Sequence, residues 1–186
     1  MKKKRCQWVK DDPLYIKYHD GEWGRPVYDD AVLYEFLLLE GFQAGLSWIT
    51  ILRKRENFRR AFNQFDYKKI ALYDDKKLEA LRQDAGIIRN RLKIFSAKTN
   101  AIAFMNIQKE FGSFSKYLWA FVNHKPIVNH WKISTEAPAS TELSDKISKD
   151  LKKRGFKFVG TTIVYAYMQS MGLVDDHEEG CWLRGE

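Results

Sequence analysis

Apolar residues recur along this chain mainly at the three- and four-residue spacing of amphipathic helices; Leu33, Phe36 and Leu37, for example, fall on one helical face. The alternation that would indicate strands is nearly absent. The pattern therefore predicts an all-α fold in one domain over residues 1–186, with too many short helices for a simple up-down bundle. The predicted helices cover residues 30–40, 43–63, 67–72, 75–83, 88–110, 114–123, 141–154 and 161–171.

The chain has 186 residues, a formal net charge of +8 and an aromatic content of 15%. A basic surface favours phosphate-bearing partners, although a solvated lysine-rich surface explains the charge equally well. No run reaches the roughly 18 apolar residues that span a bilayer, and the basic N-terminus lacks the apolar core of a signal peptide. We therefore expect a cytoplasmic, bacterial-type protein without membrane contact, whose two cysteines do not indicate a disulfide scaffold.

An isolated carboxylate lies in the segment FLLLEGFQAGLSW, residues 36–48. Glu40 follows four apolar residues and precedes Gly41, at which the pattern predicts a helix break. Burying an unpaired carboxylate is costly, so Glu40 is expected to be exposed, paired or kept for a ligand.

Pairs of cysteine and histidine occur near both ends of the chain. Cys6 and His19 lie near the N-terminus, and His177 and Cys181 follow an H-x-x-x-C spacing near the C-terminus. Two thiolates and two imidazoles form a complete tetrahedral set for structural zinc, with no position left for catalysis. Taken alone, the wide separation of the pairs favours buried free cysteines and surface histidines instead.

A lysine-rich turn bracketed by glycines separates the last two predicted helices. The segment KDLKKRGFKFVGTTI covers residues 149–163, with Gly155 and Gly160 on either side of FKFV. Such a turn can present backbone N–H groups and a helix N-terminus to a phosphate, with added attraction from the lysines. An ordinary corner between two helices with a solvated basic face explains these residues equally well.

Several segments together resemble the 3-methyladenine DNA glycosylase I family, which belongs to the helix-hairpin-helix DNA glycosylases. The matching segments are DPLYIKYHDGEWG (12–24), LEGFQAGLSWITILRKRENF (39–58), QDAGIIRNRLKI (83–94), LWAFVNHKP (118–126), LKKRGFKFVGTTI (151–163) and GLVDDH (172–177). The resemblance implies two helical lobes around a base-binding cleft, with a helix-hairpin-helix over about 141–172. It also implies one structural zinc that joins residues of about 6–19 to residues of about 177–181 as a staple between the chain ends. The resemblance therefore favours zinc binding over buried free cysteines and surface histidines.

The resemblance also implies the residues of a base-binding pocket. Glu40 would contact the extruded base and serve as the catalytic carboxylate, with Tyr18 and Trp48 on either side of the base. Tyr15 matches another pocket tyrosine. Trp8 and Trp23 match aromatic residues near the pocket, where core packing is the alternative role.

DNA contacts follow from the same resemblance. Gln43 to Leu46 match the loop that enters the duplex, and an apolar side chain such as Leu46 would fill the gap left by an extruded base. The alternative is a helix junction that uses glycine for close packing. The residues expected to contact DNA are Gln43, Gly45, Leu46, Gly155, Phe156, Lys157, Gly160, Thr161 and Thr162.

The implied activity is hydrolytic release of 3-methyladenine from alkylated double-stranded DNA by a monomer, with 3-methylguanine open as a second substrate. A base methylated at N3 is cationic and departs neutral, so its release needs little acid catalysis. Thr162 occupies the position at which related strand-cutting enzymes carry a nucleophilic lysine. Those enzymes also carry a catalytic aspartate further along the chain, and the corresponding position here falls near Gly180. We therefore expect a monofunctional enzyme that leaves an abasic site. One departure is Ala166, where the family pattern has a pocket serine.

Three alternatives stay open at this point. The chain could be a helix-hairpin-helix DNA-binding module without chemistry, a related glycosylase for another damaged base, or a zinc-stabilised RNA-binding protein. The pocket formed by Glu40, Tyr18 and Trp48 argues against a simple binding module. The missing hairpin lysine and catalytic aspartate disfavour an enzyme for neutral bases, since these need stronger help for the leaving group.

Overall fold

A computed structural model describes residues 3–184, and it confirms the all-α prediction. Within this range the only strands are the two-residue β1 (Ile127–Val128) and β2 (Val174–Asp175), which pair in parallel. No helix between residues 3 and 184 is long and apolar enough to cross a membrane. The helices are α1 (Pro13–Gly21), α2 (Asp30–Gln43), α3 (Trp48–Ala61), α4 (Tyr67–Ile70), α5 (Asp75–Leu81), α6 (Arg91–Phe111), α7 (Phe114–Ala120), α8 (Glu142–Lys153) and α9 (Thr161–Ser170).

Helix α2 lies at the centre of the fold, because every residue from Leu33 to Phe42 is buried. The predicted break at Gly41 is wrong, since α2 continues to Gln43. An added Cβ at Gly41 would lie 3.3 Å from the Cβ of Phe158. This glycine therefore allows close packing between α2 and the turn before α9, and α3 begins only at Trp48.

Helix α1 was not predicted from the apolar pattern. Its start carries a clear local signal, because the side chain of Asp12 accepts hydrogen bonds from the amides of Leu14 and Tyr15, and Pro13 occupies the first helical position. The helix places Tyr15, Tyr18 and His19 on the inner side of the protein.

Helices α8 and α9 are joined by the short segment 154–160. Thr141 caps α8 through a reciprocal pair of hydrogen bonds with Ser144. Gly155 ends the helix in a left-handed conformation with φ of +95°, which a residue with a side chain rarely adopts. Helix α9 then packs against α2 and α8.

Candidate active site

A cavity of about 250 Å³ opens between α1, α2, the start of α3 and α9. Its volume is below that of a pocket for a drug-sized ligand and suits a single flat ring system. The cavity brings together all six residues that the sequence predicted for base binding, which are Trp8, Tyr15, Tyr18, Trp23, Glu40 and Trp48.

Two carboxylates are buried on α2, and their surroundings differ. Glu35 accepts hydrogen bonds from the guanidinium groups of Arg55 and Arg59, at 2.6 and 2.9 Å. Glu40 is 3% exposed and, among residues 3–184, forms no ion pair with a cationic side chain. Its one direct partner is the hydroxyl of Ser170, which donates to Oε1 at 2.5 Å. No cationic side chain among the described residues therefore offsets the negative charge of Glu40.

Burial raises the pKa of Glu40 from its ordinary value of 4.5 to about 7, and the hydrogen bond from Ser170 opposes this effect.

The resemblance implied a pocket serine at position 166, where this chain has an alanine. Ala166 lines the cavity without a polar atom, and the hydroxyl is supplied one helical turn later in α9. No feature of the sequence indicated that Ser170 contacts Glu40.

Aromatic rings form two groups along the cavity wall. The ring of Tyr18 lies 5.5 Å from that of Trp48, with an interplanar angle of 48°. The ring of Trp8 makes edge contacts with Tyr15 at 5.3 Å and Trp23 at 5.1 Å. Within the described range, the Tyr18 hydroxyl and the indole N–H of Trp48 are buried without a hydrogen-bond partner. Both polar groups are thus available to a ligand.

Asp176 also borders the cavity. Its Oδ1 accepts from Asn129 and Trp131, and its Oδ2 accepts from Tyr165 and Gln169, all at 2.7 to 2.8 Å. These four bonds fix the segment after β1 against α9. Gln169 lines the cavity as well, together with Ser134 and Ala137.

Residues 44–47 form a tight turn at the cavity edge between α2 and α3. Gln43 donates from its side chain to the carbonyl of Leu46, and Leu46 is 39% exposed. Gly45 has φ of +79° and open space around it. Lys93, on α6, donates to the carbonyls of Phe42 and Ala44 at 2.9 and 2.6 Å and so holds the start of the turn. No sequence motif had indicated this role of Lys93.

The hairpin residues divide between surface and core. Lys157 and Thr162 are exposed, whereas the side chain of Phe156 is 2% exposed and lies in the core. A DNA contact by that side chain is therefore excluded in this conformation. The backbone amide of Lys157 donates to Asn100, so it is also occupied.

The amides at the N-terminus of α9 are further hydrogen-bond donors of the hairpin. The first backbone bond of α9 runs from Val164 to Gly160, so the amides at positions 161–163 precede it and have no partner within the helix. Among the hydroxyls here, Thr161 hydrogen-bonds Ser144.

Three of the four predicted zinc ligands, Cys6, His19 and Cys181, lie together, and His177 lies beside His19. Ligand atoms of Cys6, His19 and Cys181 lie within 4.8 Å of one another. The rings of His19 and His177 are 5.2 Å apart, and Nε2 of His177 is buried without a hydrogen-bond partner among residues 3–184. A hydrogen bond from Cys6 lowers the pKa of Cys181 to about 4, which favours a thiolate.

A carboxylate orients each of the two histidines. Asp20 lies 2.9 Å from Nδ1 of His19, and Asp175 lies 2.7 Å from Nδ1 of His177. Each contact leaves Nε2 as the available ligand atom, as in zinc sites where a carboxylate holds the coordinating histidine. The donor set and its surroundings therefore fit a closed structural zinc site.

The fold and cavity define a helical protein with an aromatic pocket built around an unneutralised buried carboxylate, which suits a flat cationic ligand. The family model for methyladenine glycosylase matches residues 8–184, and the chain belongs to this family. DNA-3-methyladenine glycosylase 1 of Escherichia coli (strain K12) is 54% identical over 177 residues, 95% of each chain.

Solved structures agree with this assignment. A crystal structure of 3-methyladenine DNA glycosylase I superposes with a TM-score of 0.95 at 50% identity, covering 97% of this chain and all of the other. A variant of 3-methyladenine DNA glycosylase I in complex with 3-methyladenine has a TM-score of 0.95 at 35% identity, with 98% of both chains covered.

Proposed function

We propose that this protein is a base-excision repair glycosylase that hydrolytically releases 3-methyladenine from alkylated DNA and leaves an abasic site. The observation that carries this proposal is the buried Glu40, which has no cationic partner in the described part of the chain and faces an aromatic cavity. A cationic base supplies the missing positive charge. The family membership and the complex of a related enzyme with 3-methyladenine support the same substrate.

The chain's own residues would act mainly by recognition. Tyr18 and Trp48 can pack against the extruded base, and cation–π attraction in a dry pocket contributes about 1–2 kcal/mol. The carboxylate of Glu40 accepts a hydrogen bond from the exocyclic amine of the base and offsets its charge. Because the base leaves as a neutral molecule, the protein needs no strong general acid.

Glu40 would have a second role at the sugar. Positive charge develops there as the glycosidic bond breaks, and a fixed carboxylate in a site of low polarity stabilises that charge. The cavity also admits the attacking water. We assign recognition as the first role of Glu40 and electrostatic stabilisation as the second.

Chromatography of the bases released from methylated duplex DNA tests this function. We expect 3-methyladenine in the released fraction, with the DNA strand intact until hot alkali cleaves the abasic sites. Thr162 offers no amine for strand cleavage, so borohydride should trap no covalent adduct. Absence of released 3-methyladenine would refute the function, and a trapped adduct would refute the monofunctional mechanism.

We propose that the turn at residues 44–47 enters the duplex, with Leu46 in the gap left by the base. Its exposed side chain, the small neighbours Ala44 and Gly45, and the anchoring by Lys93 support this role.

Replacing Leu46 with alanine should lower excision from duplex DNA about tenfold, because the plug no longer offsets part of the unstacking cost. Binding of free 3-methyladenine should not change, since the cavity is intact. Leu72→Ala, at a leucine that is 83% exposed on another part of the surface, is the matched control. Equal excision by Leu46→Ala and wild type would refute the wedge.

We propose that the α8–α9 hairpin binds a DNA phosphate in the manner of a helix-hairpin-helix. The amides at the start of α9 and the exposed lysines at 149, 152, 153 and 157 support this role. Gly160 caps α9 without a side chain, and a Cβ added there would meet no atom of residues 3–184 within 4 Å apart from its chain neighbours. Gly155 contributes by its backbone conformation, and Phe156 by packing the turn onto the core.

We propose that Cys6, His19, His177 and Cys181 hold one structural zinc. The metal, when bound, joins the two chain ends next to the pocket residues Trp8 and Trp23, and it takes no part in the reaction. Trp23 lies 4.7 Å from the ring of His177, which supports a link between the staple and the pocket wall.

Metal analysis of the purified protein should find one zinc per chain. Cys181→Ser should lose the metal and lower the melting temperature by roughly 10 °C or more, because the chain ends lose their common ligand. His130→Ala, at a histidine whose side chain is 72% exposed, should keep zinc and serve as the control. Wild-type protein without zinc would contradict the proposed staple.

A further inference from the structure

Ser170 and Glu40 form a buried pair across α9 and α2. Ser170 is 2% exposed, and its hydroxyl lies 2.5 Å from Oε1 of Glu40 and 2.8 Å from the carbonyl of Ala166. We propose that Ser170 is a positioning residue for Glu40: its hydroxyl holds Oε1 of the ionised side chain and leaves Oε2 free for the base. This inference rests on the proposed role of Glu40 in base recognition.

The groups around Glu40 leave Ser170 as its main source of stabilisation. Tyr18 from α1 and Tyr167 from α9 face it. Burial raises the pKa of both phenols and the charge of Glu40 adds to this effect, so both stay neutral. Trp48 from α3 and the carboxylate of Asp176 border the same cavity. None of these neighbours is a cation, and within residues 3–184 only Ser170 donates a hydrogen bond to Glu40.

A serine hydroxyl has one proton and can accept as well as donate. With Glu40 ionised, the Ser170 proton points to Oε1. With Glu40 protonated, the carboxyl proton can point to Ser170 while Ser170 donates to the carbonyl of Ala166. Both protonation states therefore keep the hydrogen bond between Ser170 and Glu40 in the empty pocket.

The hydroxyl of Ser170 does not lie at position 166, where the resemblance implied a serine. A serine at 166 would lie on the cavity wall, where this chain has Ala166. Placing the hydroxyl at 170 directs it to the carboxylate of Glu40.

The test follows the titration of Glu40 by carbon-13 NMR of the glutamate carboxyl carbons in the full-length protein without substrate. The signal of the Glu40 carboxyl carbon is assigned as the one that is missing from the spectrum of Glu40→Gln. In Ser170→Ala we expect the titration midpoint of Glu40 to rise by about one pH unit, as fits the loss of a hydrogen bond to a charged group. Ser170→Thr, which keeps the hydroxyl, should restore the wild-type midpoint.

Ser96→Ala is the matched control. Ser96 is also buried on a helix and donates to a carbonyl of its own helix, that of Lys93, but it does not contact Glu40. We expect the control to leave the midpoint of Glu40 unchanged. An unchanged midpoint in Ser170→Ala, or an equal shift in Ser96→Ala, would overturn the inference.

Kinetics then link the titration to activity. The acid limb of kcat/KM for base release should move up with the NMR midpoint in Ser170→Ala, so that activity at pH 6.5 falls about tenfold and activity at pH 9 stays near wild type. An acid limb that does not move would contradict the positioning role. A wild-type enzyme that releases no base would refute the proposed function, whereas the NMR titration would still decide the contact.

Discussion

Glu40→Gln should lower kcat/KM for release of 3-methyladenine by about 100- to 1,000-fold, the range seen when one preorganised charge-stabilising group is removed. Glutamine keeps the shape of the side chain and can still bond to Ser170. It cannot supply the negative charge that offsets a cationic base and a cationic sugar. Affinity for free 3-methyladenine should also fall, because an acceptor for the exocyclic amine is lost.

The same substitution should make the empty enzyme more stable above pH 7. The pKa of Glu40 is raised to about 7 in the folded protein, against an ordinary value of 4.5. The folded state therefore holds the proton more tightly, so this contribution to stability is complete below about pH 4.5 and is lost as the pH rises through 7. The difference between these two pKa values corresponds to about 3 kcal/mol in the free energy of unfolding, or several degrees in melting temperature.

Glu35→Gln is the matched control for Glu40→Gln, since both sites are buried carboxylates on α2. Glu35 is held by Arg55 and Arg59, so its substitution should lower stability by leaving two guanidinium groups with a weaker partner. The folded enzyme should keep its pocket and its activity. Full base release by Glu40→Gln, or equal losses of activity in both variants, would remove Glu40 from the mechanism.

Activity should fall steeply on the acid side of neutrality. Only ionised Glu40 can offset the charge of the base, so kcat/KM should decrease tenfold for each pH unit below about 7 and lie about 100-fold below its plateau at pH 5. In the complex, the cationic base favours the carboxylate and lowers the pKa of Glu40. The acid limb of kcat should therefore lie at lower pH than that of kcat/KM.

Single-turnover kinetics over pH 5 to 9 measure both limbs. Glu40→Gln provides the comparison, because its low residual activity should be nearly independent of pH across this range. A wild-type profile that is flat from pH 5 to 7 would show that the protonation of Glu40 does not limit base release.

Helix content and the identity of the pocket residues follow well from the sequence. Periodicity located most helices, and the resemblance selected six residues that the fold brings around one cavity. The break at Gly41 was wrong because a glycine reads the same in sequence whether it ends a helix or permits close packing, here against Phe158.

Contacts between distant segments could not be predicted in this way. Asp176 holds the segment after β1, Lys93 holds the turn after α2, and Ser170 reaches Glu40 across 130 positions of the chain. Each of these polar side chains also suits a solvated surface, and only the packed fold shows its partner. Phe156 shows the reverse case, since a residue in a surface hairpin turns out to be buried.

If this pocket selects a base by its positive charge, a charged and a neutral base in the same duplex should be released at very different rates. Two duplexes of the same sequence carry a single 3-methyladenine or a single hypoxanthine, which is neutral, and base release is measured from each. We expect rapid release of 3-methyladenine by the wild type, no measurable release of hypoxanthine, and a large loss of the first activity in Glu40→Gln. Release of both bases at similar rates would contradict selection by charge.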